Sequence, residues 1–209
     1  MTLTVPRVAT GENQILALPR RRGPACQYER SCSIHSFPLV PMTMTDDLTV
    51  IARQESQLIF EKFDETTAWN LGSRLRDLGV ARGYPLVVDV RRFGQQLFCC
   101  ALSGAVPDQA EWVRRKVNVV ARFHRSSYGV GRELARSNSS LEEKYGLPTI
   151  DYAAHGGCFP IRTAGAGIIG CVTVSGLPQR TDHELVVEAI CLELGRNFEE
   201  FRLPAAPTP

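Results

Sequence analysis

The chain has 209 residues, 44% of them hydrophobic, so it is long enough to bury one full-sized core in a single domain. Lysine and arginine exceed aspartate and glutamate by 24 − 22 = 2, and residues 1–45 carry this excess, with five arginines against two glutamates. The remainder is near neutral, which argues against a nucleic-acid partner, and no stretch approaches the ~20 apolar residues that a membrane span requires.

Residues 1–45 show no sustained hydrophobic period and contain five prolines, so we expect them to add nothing to the core. Met42 and Met44 stand directly before the first predicted helix. The segment is therefore interpreted as a disordered extension or as the result of a misassigned translation start. A transit peptide is the alternative, because the segment is rich in arginine and poor in acidic residues. At the other end, residues 201–209 are predicted to form a flexible tail.

Residues 46–200 are predicted to form one α+β domain. Patterns of period 3.6 predict helices, and short apolar runs bounded by glycine predict strands. The predicted helices cover residues 47–58, 64–78, 108–124, 127–137 and 141–145, with a last one from residue 181. The predicted strands cover residues 86–90, 97–102, 158–161 and 168–174. Two hairpins separated by helices indicate an antiparallel sheet covered by helices.

Polar residues mark the expected helix starts. Asp64 is predicted to be the N-cap of the second helix. Capping boxes are predicted from Asp108 with Glu111 for the third helix and from Thr181 with Glu184 for the last.

The loop of residues 175–182 joins the last strand to the last helix. Backbone amides at such a junction can hold an anionic group. Ser175, Gly176 and Asp182 are therefore candidate ligand-binding residues.

The third predicted helix carries a lysine within its apolar arc. At ~100° per residue, the arc comprises Trp112, Val113, Val117, Val119, Val120 and Phe123, with Lys116 in its middle. The lysine stem could lie along apolar surface with its ammonium at the edge. Otherwise the ammonium points into a cavity and meets a carboxylate from the protein or from a ligand. Lys116→Met is expected to preserve the fold in either case.

The opposite arc of the same helix is rich in arginine, and Arg122 is its candidate ligand-binding residue. The arc comprises Arg114, Arg115, Asn118, Arg122 and Arg125. A solvated helix side, anion capture and an oligomer interface are the three interpretations, and the interface is preferred here.

Two histidines are candidate site residues. His155 precedes a glycine pair in which Gly157 permits close backbone approach, so it could ligate haem iron or another metal, or simply hydrogen-bond to backbone. His183 is expected in the first turn of the last helix, where the helix dipole disfavours its protonated form. Cys158 near His155 is the one nucleophile–base pair worth naming, but nothing in the sequence orients that histidine.

Seven cysteines are odd in number and lack CxxC spacing, so we expect reduced thiols and a cytoplasmic location. The sequence contains no nucleophile elbow, P-loop, dinucleotide-binding fingerprint or HExxH motif. It therefore predicts no catalytic residues.

Several long blocks carry a family resemblance. They are KFDETTAWNLG (62–72), WVRRKVNVVARFHRSSYGVGREL (112–134), LEEKYGL (141–147) and the hairpin–loop–helix of residues 153–189. In these blocks the chain resembles the haem-degrading-domain superfamily, which includes a glycolate-operon protein and haem-binding sensor proteins. Within that superfamily it is similar to uncharacterised protein family 0303. The resemblance covers residues 46–193 and implies a profilin-like layered fold.

The resemblance also implies a function. It suggests a homo-oligomeric protein that binds a small acidic ligand, with haem or a related tetrapyrrole as the ligand class and cofactor. The expected pocket lies between the sheet, the third helix and the loop of residues 175–182. The alternative is a non-enzymatic scaffold accessory to a chaperone or targeting pathway, because one relative is linked to the delivery of tail-anchored membrane proteins.

Overall fold

A computed structural model describes residues 46–205, so the predictions for residues 1–45 lie outside the described residues. The helices are α1 (Asp47–Gln57), α2 (Glu65–Ala81), α3 (Asp108–Phe123), α4 (Ser127–Arg136), α5 (Leu141–Tyr145) and α6 (Gln179–Glu193). The strands are β1 (Val87–Arg92), β2 (Gln95–Ala101), β3 (Cys158–Thr163) and β4 (Gly167–Ser175). No helix within this range is long and apolar enough to cross a bilayer.

The two hairpins combine into one antiparallel sheet with the strand order β2-β1-β4-β3. The inner strands β1 and β4 pair with Val87 opposite Ser175 and Val90 opposite Val172. The predicted α+β class, with a sheet built from two hairpins and covered by helices, is confirmed.

Alternate side chains of β1 point to opposite faces of the sheet, because the side chains of a strand have a period of two residues. Val88 and Val90 belong to the large core, which also contains buried residues of α2 and α6. Val87 points the other way and packs with Val113 and Val117 of α3. The sheet is therefore sandwiched between α2 with α6 on one side and α3 on the other.

Helix α3 begins without the predicted capping box. Its N-cap is Pro107, which makes no side-chain capping hydrogen bond. Asp108 is already helical, and its carboxylate accepts a hydrogen bond of 2.9 Å from the indole N–H of Trp112. Glu111 forms an ion pair with Arg114 one turn later. The physical reason is that Pro107 already has helical backbone angles, so the helix takes in Asp108, which would have to lie outside it to act as an N-cap.

Helix α6 also begins earlier than predicted, after Pro178, so Thr181 lies inside the helix instead of capping it. Asp182 supplies the compensating contact. Its carboxylate oxygen Oδ1 accepts a hydrogen bond of 3.0 Å from the amide of Leu177, just before the helix. By contrast, the predicted N-cap of α2 is correct, because the Asp64 carboxylate accepts from the Thr67 amide at 2.9 Å.

The predicted flexible tail starts too early at residue 201. Phe201 and Leu203 are buried, and the Phe201 carbonyl accepts a hydrogen bond of 2.6 Å from the Gln54 side chain of α1. Arg180 donates to the Pro204 carbonyl. Two large apolar side chains therefore hold this end of the described chain on the domain, because their burial removes apolar surface from water.

Candidate ligand-binding site

Two neighbouring cavities open beside α3, with volumes of 460 Å³ and 300 Å³. Trp112, His155 and Gln179 line both of them. The larger cavity lies between α3, α4, α5 and the segment of residues 149–155. The smaller one lies against the start of α6 and the end of β4. Volumes of this size fall within the ~300–1,000 Å³ range of small-molecule sites.

The predicted residues of the 175–182 loop line the smaller cavity. Ser175, Gly176 and Asp182 meet there with Lys116 and His155. This is the pocket expected between the sheet, the third helix and the loop. The structure therefore brings five of the eight candidate residues to one place.

The glycine pair after His155 brings backbone against backbone. A Cβ atom at Gly156 would collide with the carbonyl oxygen of Gln179 at the start of α6. A Cβ atom at Gly157 would collide with the Val174 carbonyl, and its φ of +116° lies in the region that favours glycine. The loop that carries His155 is therefore clamped between β4 and α6, which places the imidazole at the wall shared by the two cavities.

His155 is neutral at physiological pH. It is an exposed residue, yet partial desolvation of its ring lowers its pKa below 6.5, and the positive charges of Lys116 and Arg115 act in the same direction. Its ring meets Trp112 edge-on, with the centroids 5.2 Å apart. A neutral imidazole offers a free nitrogen lone pair, so His155 is chemically suited to ligate a metal ion.

The Lys116 ammonium meets a carboxylate of the protein. Lys116 and Asp182 are both buried, and the Nζ–Oδ2 distance is 2.8 Å. The same ammonium donates to the Val174 carbonyl at 3.1 Å and approaches the Ser175 hydroxyl at 3.4 Å. These three acceptors match the three N–H groups of an ammonium, so Lys116 has no donor left for a ligand. Burial raises the pKa of Asp182, and the lysine opposes that shift.

Arg122 lies away from this site. It is exposed and lines neither cavity. Most arginines of the α3 arc contact other groups of the same domain. This weakens the argument for the expected oligomer interface on this arc. Arg114 pairs with Asp151 at 3.1 Å, and Arg125 contacts Glu55 and Glu133.

His183 also lies away from both cavities, in the core beside α1. It is completely buried, and its Nε2 atom is 2.8 Å from the Oε1 atom of Gln54. Burial lowers its pKa to about 3, so the ring is neutral. Adjacent residues of a helix point about 100° apart, which is why Asp182 reaches the smaller cavity while His183 points into the core toward Gln54.

Apart from His155, the residues that line the larger cavity were not predicted as site residues from the sequence. Arg115 lies over the ring of Trp112 at 4.0 Å from its centroid and donates to the Thr149 carbonyl at 3.2 Å. Arg132 of α4 lines the same cavity. The cavity forms between segments far apart in sequence, and the periodicity of one helix does not indicate which part of its rim meets another helix.

The described residues contain no group of three or more histidine, cysteine or acidic side chains that could hold a metal ion.

The family model described as "Haem degrading protein HbpS-like" matches residues 63–191. The chain belongs to this HbpS-like family. The matched range includes α3, both hairpins and nearly all of α6, and with them the residues of the smaller cavity. Family membership thus covers the whole region in which the candidate site lies.

Relatives of this HbpS-like chain carry the name UPF0303 protein. The relative from Acidobacterium capsulatum is 71% identical over 165 residues, which are 79% of this chain and 100% of the relative. The relative from Burkholderia thailandensis is 56% identical over 162 residues, which are 78% of this chain and 98% of the relative. The predicted membership in this family is confirmed.

Solved structures share the fold. The Ybr137w protein is 27% identical, with a TM-score of 0.65 over 69% of this chain and 86% of that chain. The crystal structure of HbpS is 20% identical, with a TM-score of 0.52 over 68% of this chain and 96% of that chain. A complex of PduOC with haem is 16% identical, with a TM-score of 0.53 over 62% and 93% of the two chains. The last two likenesses concern the fold alone.

Proposed function

We propose that this HbpS-like chain binds a small acidic ligand of the tetrapyrrole class, with haem as the first candidate, in the 460 Å³ cavity beside His155. The observation that carries the proposal is the neutral imidazole of His155 on a rigid loop at the cavity wall, within a family described as haem-degrading. A neutral histidine is the commonest protein ligand of haem iron in oxygen-binding proteins.

The walls of the larger cavity suit a flat, largely apolar ligand with acidic side chains. Leu134 and Leu141 provide apolar surface, and Tyr152 adds an aromatic ring. Arg115 and Arg132 line the same cavity and provide two guanidinium groups. Guanidinium pairs with carboxylate through charge-assisted hydrogen bonds, so these two arginines are our candidates for holding propionate groups.

Each residue has a separate role in this proposal. His155 would hold the iron, Trp112 would keep the imidazole ring in place, and Arg115 would bind a carboxylate. Bound haem would supply the redox and small-ligand chemistry of its iron. The Lys116–Asp182 pair lines the neighbouring smaller cavity and would not contact the acidic groups, because the ammonium donors are already used within the protein.

Hemin titration of the purified full chain, followed by Soret absorbance, tests the proposal. We expect saturable binding, and we expect His155→Ala to weaken it by roughly tenfold or more, the equivalent of ~1.4 kcal/mol, with a shifted Soret band. His124→Ala is the matched control, because His124 is exposed at the end of α3 and lines neither cavity. Titration without saturation, or equal affinities for the native chain and His155→Ala, would refute the proposal.

A second pair of variants tests the carboxylate contact. Arg115→Gln should weaken hemin binding, whereas Arg122→Gln should leave it unchanged, because only Arg115 lines the cavity. Iron protoporphyrin dimethyl ester has no free carboxylates, so its affinity should be the same for both variants. A partner protein that copurifies with a chain indifferent to hemin would instead favour the scaffold interpretation.

We also propose a cytoplasmic, self-associating protein. The five cysteines within residues 46–205 are all free thiols, which supports a reducing compartment. Mass measurement by light scattering tests the self-association.

A further inference from the structure

The two cavities beside α3 share a wall but carry opposite formal charge. The charged side chains that line the larger cavity are two arginines, Arg115 and Arg132, with no acidic residue among them. The smaller cavity is lined by one lysine, Lys116, and by two aspartates, Asp108 and Asp182, so its formal charge is 1 − 2 = −1. Because the charge of a cavity wall selects the charge of what enters it, the two cavities should accept different ligands.

The groups of the smaller cavity that could hold an anion are already used by the protein itself. The Lys116 ammonium has three acceptors within the domain, so it has no donor to spare. The loop amides are likewise taken, because the Asp182 carboxylate accepts hydrogen bonds from the amides of Leu177 and Gly176. A carboxylate of the chain therefore occupies the place that an anionic ligand would take at this junction.

Hydrogen-bond acceptors, by contrast, remain available in the smaller cavity. Asp108 is exposed, and within the described residues only its Oδ2 atom accepts a side-chain hydrogen bond, from the indole N–H of Trp112. Ser175 is buried, and its hydroxyl oxygen receives only a long contact of 3.4 Å from Lys116. His155 adds a neutral imidazole, which has one nitrogen lone pair. This set of acceptors suits a ligand that donates hydrogen bonds.

We propose that the smaller cavity binds a small primary amine that also carries a hydroxyl group, with the ammonium at Asp108 and the hydroxyl at Ser175. An ammonium has three donors and no acceptor, so it pairs with a carboxylate. Asp108 and Lys116 are 116 − 108 = 8 residues apart on α3, which is about 12 Å along the helix axis. The ligand's charge therefore lies at the other end of the cavity from the backbone of Lys116.

The hydroxyl end of the ligand follows from the Ser175 end of the cavity. A hydroxyl group both donates and accepts, so it can pair with the Ser175 hydroxyl without adding a charge beside the Lys116–Asp182 pair. The inference does not rest on haem binding, because it concerns the other cavity and its test uses no haem. A failed hemin titration and a failed amine titration are therefore separate results.

NMR titration of the isotope-labelled full chain with a linear aminopentanol, which has an amine at one end and a hydroxyl at the other, tests the proposal. The chain has two tryptophans and hence two indole N–H signals. Trp112 lines the cavity, whereas Trp69 lies on α2 and lines neither cavity, so Trp69 is the internal control. Trp69→Phe assigns the two signals. We expect a saturable shift of the Trp112 signal and none of the Trp69 signal.

Matched ligands test the two ends of the probe on the native chain, so that misfolding of a variant cannot decide the result. Linear pentanediol and hydroxypentanoate replace the ammonium by a neutral and by a negative group. Both should bind roughly threefold more weakly or worse, the scale of an ion pair at an exposed carboxylate. Pentylamine lacks the hydroxyl and should also bind more weakly than aminopentanol.

Two variants assign the charge to one carboxylate. Asp108→Asn keeps an acceptor oxygen for the Trp112 indole but removes the charge, and it should raise the Kd of aminopentanol by roughly threefold to fivefold. Glu111→Gln is the matched control, because Glu111 lies in the same first turn of α3 and lines neither cavity. It should leave this Kd unchanged. Ser175→Ala should remove the advantage of aminopentanol over pentylamine.

Circular dichroism establishes that each variant is folded. The proposal is overturned if aminopentanol causes no saturable shift of the Trp112 signal, or if the Trp69 signal moves as far. It is also overturned if hydroxypentanoate binds as tightly as aminopentanol, or if folded Asp108→Asn keeps the native Kd. A folded Ser175→Ala variant that still prefers aminopentanol to pentylamine overturns the position of the hydroxyl.

Discussion

Replacing Lys116 with methionine should strongly destabilise this protein, although the sequence alone suggested a tolerated change. The substitution removes the ammonium that lies 2.8 Å from the Asp182 carboxylate. Asp182 would remain 1% exposed, with a negative charge balanced only by hydrogen bonds from the Leu177 and Gly176 amides. Breaking one partner of a buried ion pair costs about 3–5 kcal/mol, which we expect for the free energy of unfolding of Lys116→Met.

A double variant separates the lost pair from simple loss of packing. Lys116→Met with Asp182→Asn removes both charges, and the asparagine amide oxygen can still accept from the Leu177 amide. We expect this variant to recover most of the loss, because a buried ion pair contributes little net free energy when both charges are absent. The two single variants and the double variant complete a mutant cycle whose coupling energy should exceed ~1 kcal/mol.

The pH dependence of the free energy of unfolding provides an independent test. Burial already raises the pKa of Asp182, and losing Lys116 raises it further, so the folded variant holds a proton more tightly than the unfolded chain. The deficit of Lys116→Met should therefore shrink as the pH falls from about 8 to about 5. Urea unfolding followed by circular dichroism measures all of these quantities. A deficit below ~1 kcal/mol for Lys116→Met, or a double variant no more stable than that single one, would refute the reasoning.

Three further predictions concern other parts of the fold. The pKa of His183 is about 3 in the folded chain and 6.5 in the unfolded chain. The free energy of unfolding should therefore fall by up to ~1.4 kcal/mol for each pH unit below 6.5. Urea titrations at several pH values should show that His183→Gln flattens this slope. Gly157→Ala should lower the melting temperature by several degrees, whereas Gly165→Ala should not, because a Cβ at residue 165 meets no atom within 4 Å; equal melting temperatures would contradict the clamped loop. Phe201→Ala should cost about 3–5 kcal/mol of unfolding free energy, because the ring is 1% exposed, and an unchanged urea midpoint would show that the C-terminal segment does not pack.

The sequence predicted the secondary structure well wherever a glycine or a regular apolar period determines the local conformation. The glycine-bounded apolar runs became the two hairpins, and the apolar period became the helices. The capping boxes failed at α3 and α6 because Asp108 and Thr181, which would have to lie outside the helix as N-caps, are already inside it; the N-caps are Pro107 and Pro178, which make no side-chain capping hydrogen bond. The tail failed because Phe201 and Leu203 are too few to form a periodic pattern, yet each finds a place in the core.

The candidate site was only half predictable. The sequence determined that Lys116 interrupts an apolar arc, that glycines follow His155 and that an acidic residue begins the last helix, because these are properties of single segments. Only the tertiary structure decided that the Lys116 carboxylate partner is Asp182, 66 residues later, and that Arg115 lines a cavity while Arg122 does not. Which strand lies at an edge was likewise decided by the order β2-β1-β4-β3. Local periodicity specifies which face of an element is apolar, but the element that meets this face depends on how all the elements pack together, and no single segment contains that information.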